Sequence, residues 1–157
     1  NKEGMTIVVF SGDYDKAMAA FVIANGALAM GKKVTMFFTF WGLSILKKEH
    51  SVSVKKSFMD KMFAMCLPKS WKNLPLSKMN FLGIWAKRMQ HIMKQKNIES
   101  LESLMQNAKE NGAHIIACSM SMEAMGIREE ERLEGIDFGG VAQYLGAATE
   151  GNPNLFI

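Results

Sequence analysis

The chain has 157 residues and a mass of 17.5 kDa, the size of one ordinary domain: long enough to close a single core and too short for two independent ones. Hydrophobic residues make up 48% and charged residues 22%, with a mean hydropathy of +0.00, which excludes disordered, collagen-like and membrane-embedded classes. The formal charge is only +4, yet twelve Lys and Arg stand against two acids in 47–96, so that segment carries +10 and the rest of the chain −6.

The first apolar run, MTIVVF at 5–10, is rich in β-branched residues and stops at SGDYD, as a buried strand ending in a turn would. A helix is expected from Asp15 or Lys16 to Met30, with Asp13 or Asp15 as cap and Gly31 as stop. VTMFFTFW follows as a second continuous apolar strand ended by Gly42, and strand, helix, strand without alternation is the pattern of a βαβ unit in a parallel sheet. The apolar stretches are each shorter than the ~18 residues of a membrane span, so none is expected.

Residues 47–97 interrupt this rhythm as an inserted helical excursion, with helical patterns at roughly 53–66 and 80–95 on either side of Pro68 and Pro75. The α/β pattern resumes at 98–111, where Leu101, Leu104, Met105 and Ala108 share one helical face and Gly112 supplies the stop. His114 to Cys118 reads as a third strand running straight into SMSMEAMG, a short helix that Ser119 or Ser121 could cap. A brief edge strand near 135–138, a helix over about 140–149 and a closing strand at 155–157 complete one unit spanning 1–157. Residues 1–5 are polar and the apolar run after them is too short for a secretory leader, so a cytoplasmic location is expected.

In an open parallel sheet, sites form outside the carboxyl ends of the strands. Three loops should meet there: SGDYD, WGLS and the CSMS turn. Cys118, at a strand end before a helix, lies near unpaired N–H groups that favour a thiolate, and this makes it the candidate nucleophile for sulfur relay or thiol exchange. An inert core cysteine is the competing reading, because Cys is also among the most buried residue types. Cys66 follows a Met-rich amphipathic pattern just before Pro68 and is read as core or interface packing. The two thiols are too few for a disulfide scaffold, form no CxxC, and are read as reduced.

No metal site is expected, since His50, His91 and His114 are scattered, and no elbow motif supports a Ser-His-Asp triad. SGDYD has one Gly where a P-loop or dinucleotide fingerprint needs several, which leaves only a flavodoxin-like flavin site open among nucleotide cofactors, and no cofactor is assigned. The basic excursion has three readings: a solvated lysine face, a docking surface for an acidic partner, or a membrane-surface or oligomer contact. Peripheral membrane contact is not favoured, and nucleic acid is disfavoured for want of a recognised basic module.

Taken together, IIACSMSMEAMGI, MFFTFWGL, LPLSKMNFLG and the terminal NLFI resemble the DsrE/DsrF/DsrH-like sulfur-transfer superfamily, specifically its Met-rich second DsrE-like branch, often labelled peroxiredoxin-like. The similarity covers essentially the whole chain, and CSMSM to MGI is its most specific part. It implies a three-layer α/β/α domain with a parallel, about five-stranded sheet, assembly into homo-oligomers, and one cysteine that carries sulfur as a persulfide, which by match of motif is Cys118. The 47–97 excursion departs from the shorter pattern of the better-characterised branch, so donor and acceptor do not carry over.

The expectation is thus a sulfur carrier or sulfurtransferase, with Ser119, Ser121 and the N–H groups after Cys118 stabilising the anion, Met120 beside them, Gly12 and Gly42 letting neighbouring loops approach, and Trp41 walling the pocket. Its partners would be a sulfur donor and an acceptor thiol, and its Met- and Phe-rich surface would be covered in a homo-oligomer. The alternatives are a thiol-redox accessory acting on small disulfides or persulfides, and a non-enzymatic binding module in which Cys118 only packs.

Overall fold

Five parallel strands organise the computed structural model, which describes residues 3–48, 57–78, 81 and 83–157. They are β1 (Gly4–Val9), β2 (Lys33–Phe38), β3 (His114–Cys118), β4 (Asp137–Gly139) and β5 (Gly151–Phe156), in the order β4-β3-β2-β1-β5. The chain steps outward from β1 to β4, then crosses back to lay β5 along the free edge of β1.

Because side chains alternate across a strand, the apolar runs split between two faces. Ile7, Val9, Met36, Phe38, Ile115 and Ala117 face one layer, formed by α1 (Tyr14–Ala29) and α4 (Leu101–Glu110). Phe21 of α1 is fully buried and stacks on Phe38 with ring centroids 5.9 Å apart. The two helices are tied by Asn25 Nδ2 donating to the Leu104 carbonyl at 2.9 Å. Val8, Phe37, Ile116 and Cys118 face the other way, toward α6 (Val141–Thr149), whose Tyr144 stacks on Phe37 at 5.3 Å. No residue of α6 is itself buried, so this second face is the more thinly covered.

The excursion holds two described helices, α2 (Phe58–Cys66) and α3 (Ile84–Gln95). The helical pattern expected from 53 lies outside the described residues for 53–56, as does the start expected for the second helix at 80. Leu67, Trp71, Leu74 and Met93 carry the excursion into the first-face core. It is anchored where α1 begins: the Tyr14 N–H donates to the Pro75 carbonyl at 2.7 Å, and the Ser77 N–H donates to Asp15 Oδ1 at 3.0 Å. The insertion therefore roofs the end of the sheet at which the strand loops emerge.

Three local expectations shift. The closing strand is longer than 155–157: Asn152, Pro153 and Asn154 join it, because an edge strand tolerates Pro, and Asn154 is held by the buried Thr6 hydroxyl at 2.6 Å. The residue at the start of α1 is Asp13, but its carboxylate accepts from the Ser11 hydroxyl at 2.9 Å instead of capping the helix. The residue preceding the short helix α5 (Ser119–Ala124) is Cys118 itself, not Ser119 or Ser121.

Candidate functional site

Cys118 ends β3 and opens α5, so strand geometry turns its side chain toward the second face while its backbone abuts the free N–H groups of a helical first turn. The residue is 4% exposed. Its sulfur accepts a hydrogen bond from Ser121 Oγ at 3.4 Å, and Ser121 Oγ lies 2.8 Å from Thr39 Oγ1 at the end of β2. With the Ser121 proton given to sulfur, the Thr39 hydroxyl supplies the donor that Ser121 then accepts. The buried sulfur is thus approached by an O–H donor that is itself fixed by a second hydroxyl.

The other predicted residues fall into two groups. Ser119 is exposed, and its hydroxyl donates to the Gly139 carbonyl of β4 at 3.3 Å, so it is engaged with the neighbouring strand and not with the sulfur. Met120 is 67% exposed. Gly12, Gly42 and Trp41 belong to the loops after β1 and β2, which press together. A Cβ on Gly12 would stand 2.7 Å from the Trp41 carbonyl oxygen, and one on Gly42 2.1 Å from that of Val9. The Gly42 N–H also donates to the Phe10 carbonyl at 2.9 Å.

Gly12 and Trp41 line a cavity of about 380 Å³, together with Phe10, Asp13, Lys16, Ser44, Cys66 and Leu67 among others; Cys118 is not in its wall. The structure thus separates what the sequence reading placed in one pocket: the Thr39–Ser121–Cys118 relay on one side, and the aromatic cavity under the excursion on the other. Cys66, read from sequence as packing, is exposed at the end of α2 because Leu67, the next residue, is the one that enters the core. Pro68 was the available signal: it ends the helix and leaves the preceding side chains beside a loop. Thr39 was missed because its role depends on β2 lying beside β3.

Titration follows these contacts. Partial burial pushes the Asp15 carboxyl up, but donors from Ser77 and from the N–H groups at the start of α1 outweigh it and hold it below the usual range. Burial raises the Tyr14 phenol, partly offset by a bond from the Leu101 backbone, and the Tyr14 hydroxyl contacts Met93 Sδ at 3.9 Å. His114 lies at the opposite end of β3, 2.7 Å from Asp137 on the exposed edge, far along the strand from the sulfur. Among the described residues no group of three His, Cys, Asp or Glu could hold a metal ion, and no helix is long and apolar enough to cross a membrane.

A parallel α/β/α layer structure with a hydrogen-bonded thiol at the carboxyl end of a central strand is the class that fold and site define together. The chain belongs to the DsrE/DsrF/DrsH-like family, whose model matches residues 1–156. It is 50% identical over 152 residues to the uncharacterized protein YrkE of Bacillus subtilis (strain 168), covering 97% of this chain and 95% of that one. It is 30% identical over 154 residues to the sulfur carrier protein DsrE2 of Allochromatium vinosum, covering 98% and 97% respectively. Among solved structures, the ychN protein from E. coli superposes with a TM-score of 0.58 over 99% of each chain at 7% identity, a likeness of fold alone.

Proposed function

We propose that this protein is a sulfur carrier in which the Cys118 thiolate accepts a sulfane sulfur, holds it as Cys–S–S⁻ and passes it to an acceptor thiol. The observation that carries this reading is the Thr39–Ser121–Cys118 hydrogen-bond chain at the end of β3. Membership of a family that includes a named sulfur carrier supports it. On loading, the thiolate attacks the outer sulfur of a persulfide or polysulfide donor; the donor's S–S bond breaks, the donor leaves as a thiolate, and the sulfane sulfur remains on Cys118. Unloading is the same displacement run on Cys118 by the acceptor.

Ser121 and the backbone N–H groups of the first turn of α5 are the anion-stabilising groups of this scheme, while Ser119 orients β4 and Met120 is a surface contact. The depth of the sulfur requires access through the thinly covered second face, where α6 is the cover to be displaced. Donor and acceptor are thiols or persulfides on small molecules or proteins, and the working form is a homo-oligomer, in keeping with exposed Phe58, Met59 and Met65 on α2 and Val141 and Leu145 on α6. The test is transfer: protein preloaded with polysulfide and freed of excess reagent hands one sulfur per chain to an added small thiol. Loss of that transfer in Cys118→Ser is expected, and undiminished transfer by that variant refutes the scheme.

A further inference from the structure

The cavity under the excursion contains chemistry the sulfur relay does not use. Ser44, 1% exposed, forms part of its wall, and the Ser44 hydroxyl has no hydrogen-bond partner among the described residues. A buried hydroxyl left unpaired is destabilising, so a ligand atom in the cavity that bonds it recovers a penalty already present in the fold. Cys66, the exposed thiol of the described residues, lies in the same wall.

The remaining lining tells what size and charge would fit. A volume of about 380 Å³ is at the small end of the roughly 300–1,000 Å³ typical of ligand pockets, enough for an amino acid or short peptide and too little for a dinucleotide. Phe10, Trp41 and Leu67 give apolar walls, and Asp13 and Lys16 place one charge of each sign at the rim. That pair is 3.3 Å apart and partly exposed, with 25% and 48% of the two side chains accessible, and such pairs contribute little. A zwitterion can therefore divide it, its ammonium on Asp13 and its carboxylate on Lys16, at little cost.

We propose that this cavity binds a low-molecular-weight zwitterionic thiol or its disulfide, an amino-acid or short-peptide compound, and that Cys66 forms a mixed disulfide with it. The Cys66 thiolate attacks one sulfur of the bound disulfide; the ligand's S–S bond breaks, the Cys66–sulfur bond forms, and the second half leaves as a thiolate that takes up the proton Cys66 lost. The ligand disulfide is the oxidant, so no further redox partner enters. The site is separate from Cys118 and stands whether or not Cys118 carries sulfur.

The experiment uses the full chain carrying Cys118→Ser, leaving Cys66 as its one thiol, with cystine and homocystine as probes and intact-mass readout. The rate of Cys66 modification is expected to saturate with probe concentration. It should fall about tenfold in Ser44→Ala and in the Asp13→Asn, Lys16→Gln double variant, the factor expected for loss of one well-placed polar contact. Modification by methyl methanethiosulfonate, small and uncharged, reports bare access to the thiol and should change less than about twofold in both variants. A rate linear in probe concentration, or variants that slow both reagents alike, would overturn the proposal; so would a Cys66 that neither disulfide modifies. Peptide mapping of the wild-type chain after the same treatment must place the mixed disulfide on Cys66.

Discussion

Gly42→Ala tests how tightly the two loops that shape the site are closed. The added Cβ would stand 2.1 Å from the Val9 carbonyl oxygen and 2.9 Å from its carbon, where real Cβ contacts are essentially never under 3.0 Å. Both obstructing atoms belong to the backbone at the end of β1, where Val9 is fully buried, so neither swings aside as a side chain would. Gly42 has no positive φ, so the clash and not backbone strain is the cause. The loop must retreat by roughly 0.9 Å, which strains the bonds from Gly42 N–H to Phe10 and from Thr39 N–H to Val9. Overpacking costs about 1–3 kcal/mol and a weakened hydrogen bond up to about 1 more, offset by roughly 0.4–1 from a less flexible unfolded chain. The net loss is then about 1–3 kcal/mol, a fall in Tm of roughly 2–12 °C for a chain of this length. Gly26→Ala is the matched control, since Gly26 is an exposed interior position of α1 with nothing within 4 Å of a new Cβ. It should raise stability by about 0.5–1 kcal/mol. Urea and thermal unfolding followed by circular dichroism measure both. A Gly42→Ala variant within about 0.5 kcal/mol of the parent, or two variants shifting in the same direction, would refute the reasoning.

Phe21→Ala, which empties a fully buried site between α1 and β2, should cost about 3–5 kcal/mol in urea unfolding. Ser121→Ala removes the hydroxyl donated to Cys118, and native-state alkylation of Cys118 by iodoacetamide should slow about tenfold, with a smaller effect for Thr39→Val. Asp15 is held below the usual carboxylate range, so its bonds to Ser77 contribute stability above the unfolded carboxyl pKa and lose it as pH falls through the lower folded value. In Ser77→Ala the Asp15 midpoint, followed by NMR, should rise toward the ordinary value. Size-exclusion chromatography with light scattering should find a homo-oligomer at micromolar concentration, and a monomer there would contradict the assembly proposed from the exposed apolar faces of α2 and α6.

Sequence revealed β1, α1, β2 and β3 because a parallel sheet covered on both faces makes its strands continuous apolar runs, and these were the runs present. β5 was half hidden: Gly151, Asn152 and Pro153 look like a turn, and only main-chain pairing with β1 makes them a strand. Cys118 was legible from a strand ending immediately before a helix. The hydroxyl chain behind it was not, since Thr39 and Ser121 are 82 residues apart and meet only because β2 and β3 are neighbours. Cys66 was read as core or interface packing, and the core half of that reading fails for a similar reason: an amphipathic pattern shows which residues share a face, but not that Leu67 would take the core position and leave Cys66 exposed beside the cavity.

The central claim is that sulfane sulfur resides on Cys118. Native wild-type protein treated with polysulfide or thiosulfate, digested, and mapped by mass spectrometry tests it most directly, because both thiols are read in one experiment. The account predicts one added sulfur atom on the Cys118 peptide, absent in Cys118→Ser. No adduct on the wild-type chain, or an equal adduct on Cys118→Ser, would contradict it.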